Sequence, residues 1–136
     1  MSTHTLPREA LVTFPSGLPG FESCRQFVLV QSEEFDPGVC LKGMEAPGPT
    51  FFTVDPRLLA PDYRCELTAG DAARLGATGT SHCVWLVIVS CADDRPRVNM
   101  RAPLVINPET MRGIQVVPAD SAWPVDMPWV ELACSS

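Results

Sequence analysis

The chain has 136 residues, 46% hydrophobic and 19% charged, the composition of one folded domain rather than a disordered chain. Ten basic against 16 acidic residues leave a formal net charge of −6, and Lys42 is the single lysine; direct binding of DNA or RNA needs more cations, whereas a basic protein partner fits. The start, MSTHTLPREALV, is not a charged segment followed by an apolar run, and the longest apolar run, 83–89, is far short of the roughly 20 residues that cross a bilayer, so a cytoplasmic protein without a membrane span is expected.

Fourteen prolines and nine glycines fall between short apolar runs, as turns punctuate strands. Strands are expected over 10–14, 26–31, 39–44, 50–54, 63–67, 82–90, 97–101, 103–106 and 114–117, all rich in residues that suit a pleated surface. After the first comes TFPSGLPGFE, 13–22. Phe14-Pro15-Ser16-Gly17 suits a type I turn and Leu18-Pro19-Gly20-Phe21 a type II turn, with a positive φ at Gly20. With apolar Phe14, Leu18 and Phe21, this stretch reads as a rigid corner. A helical turn is expected over 56–59, with Asp55 as its cap and Pro56 in first position. A helix of about two turns should follow Thr68, with Asp71 completing a capping box and Gly76 ending it. Asp93-Asp94-Arg95-Pro96 reads as a polar hairpin loop, 118–127 as loop, and 129–132 as a last strand or a tail. FVLV and VWLVIV are apolar on both faces and call for cover on both sides. The expected fold is mainly all-β: an antiparallel β-barrel or barrel-like sandwich with one or two short helices, a single domain over 1–136.

Sites of chemistry are sparse. The six cysteines, at 24, 40, 65, 83, 91 and 134, include no CxxC pair, so buried, reduced thiols are expected, although an exposed pair could bridge. Of the two histidines, His82 adjoins Cys83, but strand neighbours point to opposite faces, which rules against a nucleophile pair. The acid clusters Asp93-Asp94 and Glu33-Glu34 read as solvated turns, and 76–80 lacks the lysine of a phosphate cradle. Neither catalysis, a metal nor a cofactor is expected. Trp85 should be core, while Trp123 and Trp129 either cover a barrel end or join an interface.

Four stretches in order carry a resemblance: TFPSGLPGFE (13–22), FFTVDP (51–56), PDYRCEL (61–67) and the block from VWLVIV to VNMRAPLVINPETMRGIQVV (84–117). Together they resemble the flagellar assembly factor FliW family, most strongly over 11–117, with 118–136 left as loop and tail. Family members usually carry a further strand before the signature. Only twelve residues precede Thr13 here, so a shortened N-terminus with a missing edge strand is expected, and 41–49 departs from the regular strand and turn. The resemblance implies a non-enzymatic monomer that binds cytoplasmic flagellin and the RNA-binding translational repressor CsrA. Antagonising CsrA would couple flagellin translation to filament assembly. An acidic C-terminal face (Glu109, Asp120, Asp126 and Glu131 against Arg112) would steer CsrA. Asp62, Tyr63, Asn107 and Arg112 are the expected partner contacts, with turn formation and packing as their bland alternative. A diverged paralogue with changed partners or self-association, and a thiol or metal protein, are the competing readings.

Overall fold

In the computed structural model, which describes residues 9–18, 20–31, 38–45, 48–64, 67–76, 83–92, 95–118 and 122–129, the first half of the chain becomes an antiparallel meander. Strands β1 (Glu9–Thr13), β2 (Gln26–Val30), β3 (Val39–Gly43) and β4 (Thr50–Val54) pair in succession. The second half supplies β5 (Val84–Ala92), β6 (Arg95–Val98), β7 (Leu104–Asn107), β8 (Arg112–Gln115) and the two-residue β9 (Met127–Pro128). β4 pairs with β5, β5 with β7, and β7 with β8. A parallel bridge from Thr13 to Arg112 then joins β8 to β1 and closes a seven-stranded barrel. The expected antiparallel barrel is thus the observed architecture. β6 pairs with β5 beyond β7 and carries β9.

The period-two alternation of the strands fills the lumen with Val12, Phe27, Leu29, Leu41, Leu86, Leu104 and Ile106. Phe14 and Leu18 join them from the corner at the end of β1 and are buried. Both expected turns are present: Gly17 N–H donates to the Phe14 carbonyl at 2.8 Å and Phe21 N–H to that of Leu18 at 2.7 Å. Gly17 has φ +68°, and a Cβ there would stand 2.6 Å from Glu22 Cα. Gly20 has φ +86° but open space around it. On the adjoining strand β8 a Cβ at Gly113 would lie 2.7 Å from the Phe14 ring, so the ring is seated directly on backbone.

Two further apolar clusters sit outside the barrel. The helix α1 (Ala69–Leu75) has the expected capping box, with Asp71 N–H donating to Thr68 Oγ1 at 3.0 Å, and ends at Gly76 with φ +69°. It buries Leu75 against Val105, Ile114 and Val116, the outward residues of β7 and the β8 region. Elsewhere Val54, Val87, Val98 and Met100 are covered by Ala60, Tyr63 and Trp129. The 3-10 turn at Pro56–Leu58, capped by Asp55, leads into that cover. β5 and β7 are therefore covered on both faces, which explains their unbroken apolar sequence.

Several expectations fail for identifiable reasons. No strand forms at Tyr63 or Arg64; a turn in which Tyr63 N–H donates to the Ala60 carbonyl lays this segment across β5 instead. β6 stops at Val98 because Asn99 Oδ1 accepts from the amides of Arg101 and Ala102 and turns the chain. It also starts at Arg95, so Arg95 and Pro96 are strand rather than loop, and Asp93 and Asp94 lie outside the described residues. β8 begins two residues early, at Arg112 opposite Asn107, and ends at Gln115. Trp85 packs outside the barrel beneath α1, and Trp129 lies beyond β9 in the outer cluster rather than over a barrel end. β1 pairs with β2 along Glu9–Thr13 but with β8 at Thr13 alone, and residues 1–8, ahead of β1, lie outside the described residues. His82 and residues 130–136 lie outside the described residues.

The seat of Phe14 on Gly113 should show in denaturant unfolding. Gly113→Ala is expected to cost about 1–3 kcal/mol, as overpacking does. Gly20→Ala, which meets only backbone strain, should cost about 1 kcal/mol. A Gly113→Ala protein as stable as the parent would contradict the contact.

Candidate protein-interaction surfaces

The four residues singled out in the sequence fall into two pairs. Asp62 is exposed, but its neighbour Tyr63 is buried: its hydroxyl donates to the Met100 carbonyl at 2.7 Å, and its ring centroid lies 4.8 Å from that of Trp123. Asn107 is only 3% exposed. Its Nδ2 donates to the Leu75 carbonyl at 3.1 Å, and its Oδ1 accepts from Glu109 N–H at 3.0 Å. Thr110 Oγ1 donates to the same Leu75 carbonyl at 2.8 Å, so the turn between β7 and β8 satisfies the last carbonyl of α1. Arg112, opposite Asn107 in the ladder, is exposed. Tyr63 and Asn107 thus do not reach the surface as expected; each fixes the segment that carries its exposed neighbour.

The structure adds a surface that sequence reasoning missed. By strand parity Leu11, Val28, Val30, Cys40 and Phe52 all point out of the barrel as cross-strand or diagonal neighbours, with Cys40, only 1% exposed, buried between Val30 and Phe52. Leu11 and Phe52 are each 49% exposed, while Val28 and Val30 are half-buried. Glu9, Lys42 and Thr50, all exposed, flank the strip. Phe52 pairs with Val89, so the strip runs into the outer cluster on β5. A contiguous apolar patch of this kind marks an interaction site more often than scattered apolar residues do. Its signal in the sequence is FVLV, which is apolar on both faces.

The described residues include two of the four acids of the expected steering face. Glu109 is exposed, but Asp126 pairs with Arg97 at 3.3 Å, and Asp120 and Glu131 lie outside the described residues. The described thiols, Cys24, Cys40 and Cys83, are poorly suited to nucleophilic work. Cys24 and Cys40 are free and buried. Burial pushes the Cys40 thiol up, Lys42 opposing it, and burial with Glu109 nearby pushes up the half-buried Cys83. Among the described residues no three His, Cys, Asp or Glu side chains come together as a metal site, and no helix is long and apolar enough to cross a membrane.

Comparison with known proteins matches residues 1–129 to the family model described as FliW protein. A flagellar assembly factor FliW of Caldanaerobacter subterraneus subsp. tengcongensis is 30% identical over 126 residues, covering 90% of this chain and 84% of the relative. One from Azoarcus sp. (strain BH72) is 37% identical over 117 residues, covering 80% of each. A crystal structure of the flagellar assembly factor FliW superposes with a TM-score of 0.80 at 31% identity, over 87% of this chain and 84% of that one. The name these proteins share describes assembly rather than catalysis.

Alkylation with mass-spectrometric readout should leave Cys24 and Cys40 unmodified in the folded protein and label them on unfolding. Because the folded Cys40 holds its proton more tightly than the unfolded one, its contribution to stability is present below about pH 8.5 and is lost as pH rises beyond it. Rapid labelling of Cys40 in the native state would contradict its burial.

Proposed function

The chain belongs to the FliW family of flagellar assembly factors, and from that premise we propose that it is a cytoplasmic, monomeric, non-catalytic regulator that binds flagellin and the translational repressor CsrA. Bound to this protein, CsrA releases flagellin mRNA for translation. Flagellin that has not been exported takes the protein away from CsrA and so shuts off its own synthesis. The switch requires the two partners to compete for one molecule.

The outward strip of Leu11, Val28, Val30 and Phe52 is the observation that carries this reading. An amphipathic segment of an unpolymerised subunit needs an apolar surface of this kind to lie on. The net charge of −6 favours encounter with CsrA, whose RNA-binding role requires positive charge. Of the four residues marked in the sequence, we assign Asp62 and Arg112 to direct contact. Tyr63 and Asn107 position those segments.

Calorimetry with purified monomeric flagellin and with CsrA tests the proposal. Each should bind alone, and saturating flagellin should abolish the CsrA signal. Leu11→Asp should weaken flagellin binding by about tenfold or more without loss of stability, because the side chain is half exposed. Asp62→Ala and Arg112→Ala should have smaller effects, mainly on association rate. Binding of neither partner by the parent protein would refute the proposal.

A further inference from the structure

Residues 122–129 lie on the barrel as a bound peptide would. β9 pairs with β6 at two positions, Val98 with Met127 and Arg97 with Pro128. Around that short ladder, Met100 N–H donates to the Pro124 carbonyl at 2.9 Å and Trp129 N–H to that of Pro96 at 3.1 Å. Trp123 Nε1 donates to the Arg64 carbonyl at 3.1 Å, and Arg101 Nε donates to the Trp123 carbonyl at 2.8 Å. Trp129 is buried in the outer cluster, Trp123 lies on Tyr63, and Asp126 meets Arg97 between them. The strap thus spells an aromatic, a carboxylate and an aromatic at three-residue spacing.

Two features make this strap a weak, replaceable occupant. Pro124 and Pro128 lack the N–H that would lengthen the ladder. The Arg97–Asp126 pair is solvated, with Asp126 62% exposed. Beneath the strap are the β6 backbone, the apolar side chains of Val98, Met100 and Tyr63, and the cation of Arg97. Another copy of β6 would suit this surface poorly, because Arg95 and Arg97 would face their own kind. An acidic extended segment suits it well.

We propose that the strap is displaceable and guards a strand-addition site on β6 for an extended segment of another protein, one bearing aromatic side chains on either side of a carboxylate. The site lies on β6 and the outer cluster and does not depend on how flagellin or CsrA is bound.

A fluorescein-labelled synthetic peptide of residues 118–131 is the probe, with anisotropy as the readout. It is added to the full-length chain and to full-length Trp123→Ala, whose change leaves the lumen untouched. Loosening the strap raises the fraction of open sites, so the peptide should bind Trp123→Ala about tenfold tighter than the parent. A peptide carrying Asp126→Lys should bind that variant at least about threefold weaker. In the parent, the Met100 and Trp129 amides should exchange with solvent faster than the Leu29 amide of the lumen strand β2. That exchange comparison decides the matter if Trp123→Ala fails to fold. Equal peptide binding to both proteins, no binding to either, or exchange of all three amides at one common rate would overturn the proposal.

Discussion

The barrel depends on a seam one residue pair long. Thr13 bridges Arg112 in parallel, and Thr13 N–H donates to the Met111 carbonyl at 2.9 Å. Met111 holds φ at +57°, a left-handed conformation that costs a non-glycine residue of order 1 kcal/mol. Such strain persists only where the surroundings over-determine it. Here they do: Met111 N–H donates to the Asn107 carbonyl, its side chain packs on the lumen, and two residues on Gly113 receives the ring of Phe14. A seam this short is reinforced by the packing of Phe14 on Gly113 between the two strands it joins.

Closure dictates what lies outside. Once Phe14, Phe27, Leu29, Leu86 and Leu104 fill the lumen, the outward residues of β5 and β7 need cover of their own. α1 supplies it over Val105, and the segments around Tyr63 and Trp129 supply it over Val87 and Val98. On β1 and β4 the outward Leu11 and Phe52 are left half exposed. Half-exposed strip and covered clusters follow from one constraint. The lumen of the barrel is already filled by its own side chains.

Much of this was legible in the sequence because its causes are local. The turns of TFPSGLPGFE, the capping box at Thr68 and the first four strands each follow from chemistry within a few residues. The corner's long-range partner was not legible: nothing around Gly113 announces that Phe14 sits on it. Tyr63 reads as a strand residue by propensity, yet its hydroxyl is claimed by Met100, 37 residues on. Asn107 reads as an exposed strand end, yet parity turns it toward α1 and the Leu75 carbonyl. Asn99 ends β6 through its own side chain, a local signal outweighed in the reading by the apolar residues on either side. Of the four candidate contact residues, two serve inside the fold for this reason, and two project from the segments those residues hold.

Family membership places the protein in flagellar assembly, and the proposal puts partner docking on the outward strip. Hydroxyl-radical footprinting, free and in complex with monomeric flagellin, tests that placement most directly. The account predicts that oxidation of Leu11 and Phe52 falls in the complex while that of exposed Val117, next to Val116 of α1's cluster, is unchanged. Unchanged oxidation of Leu11 and Phe52, with protection elsewhere, would contradict it.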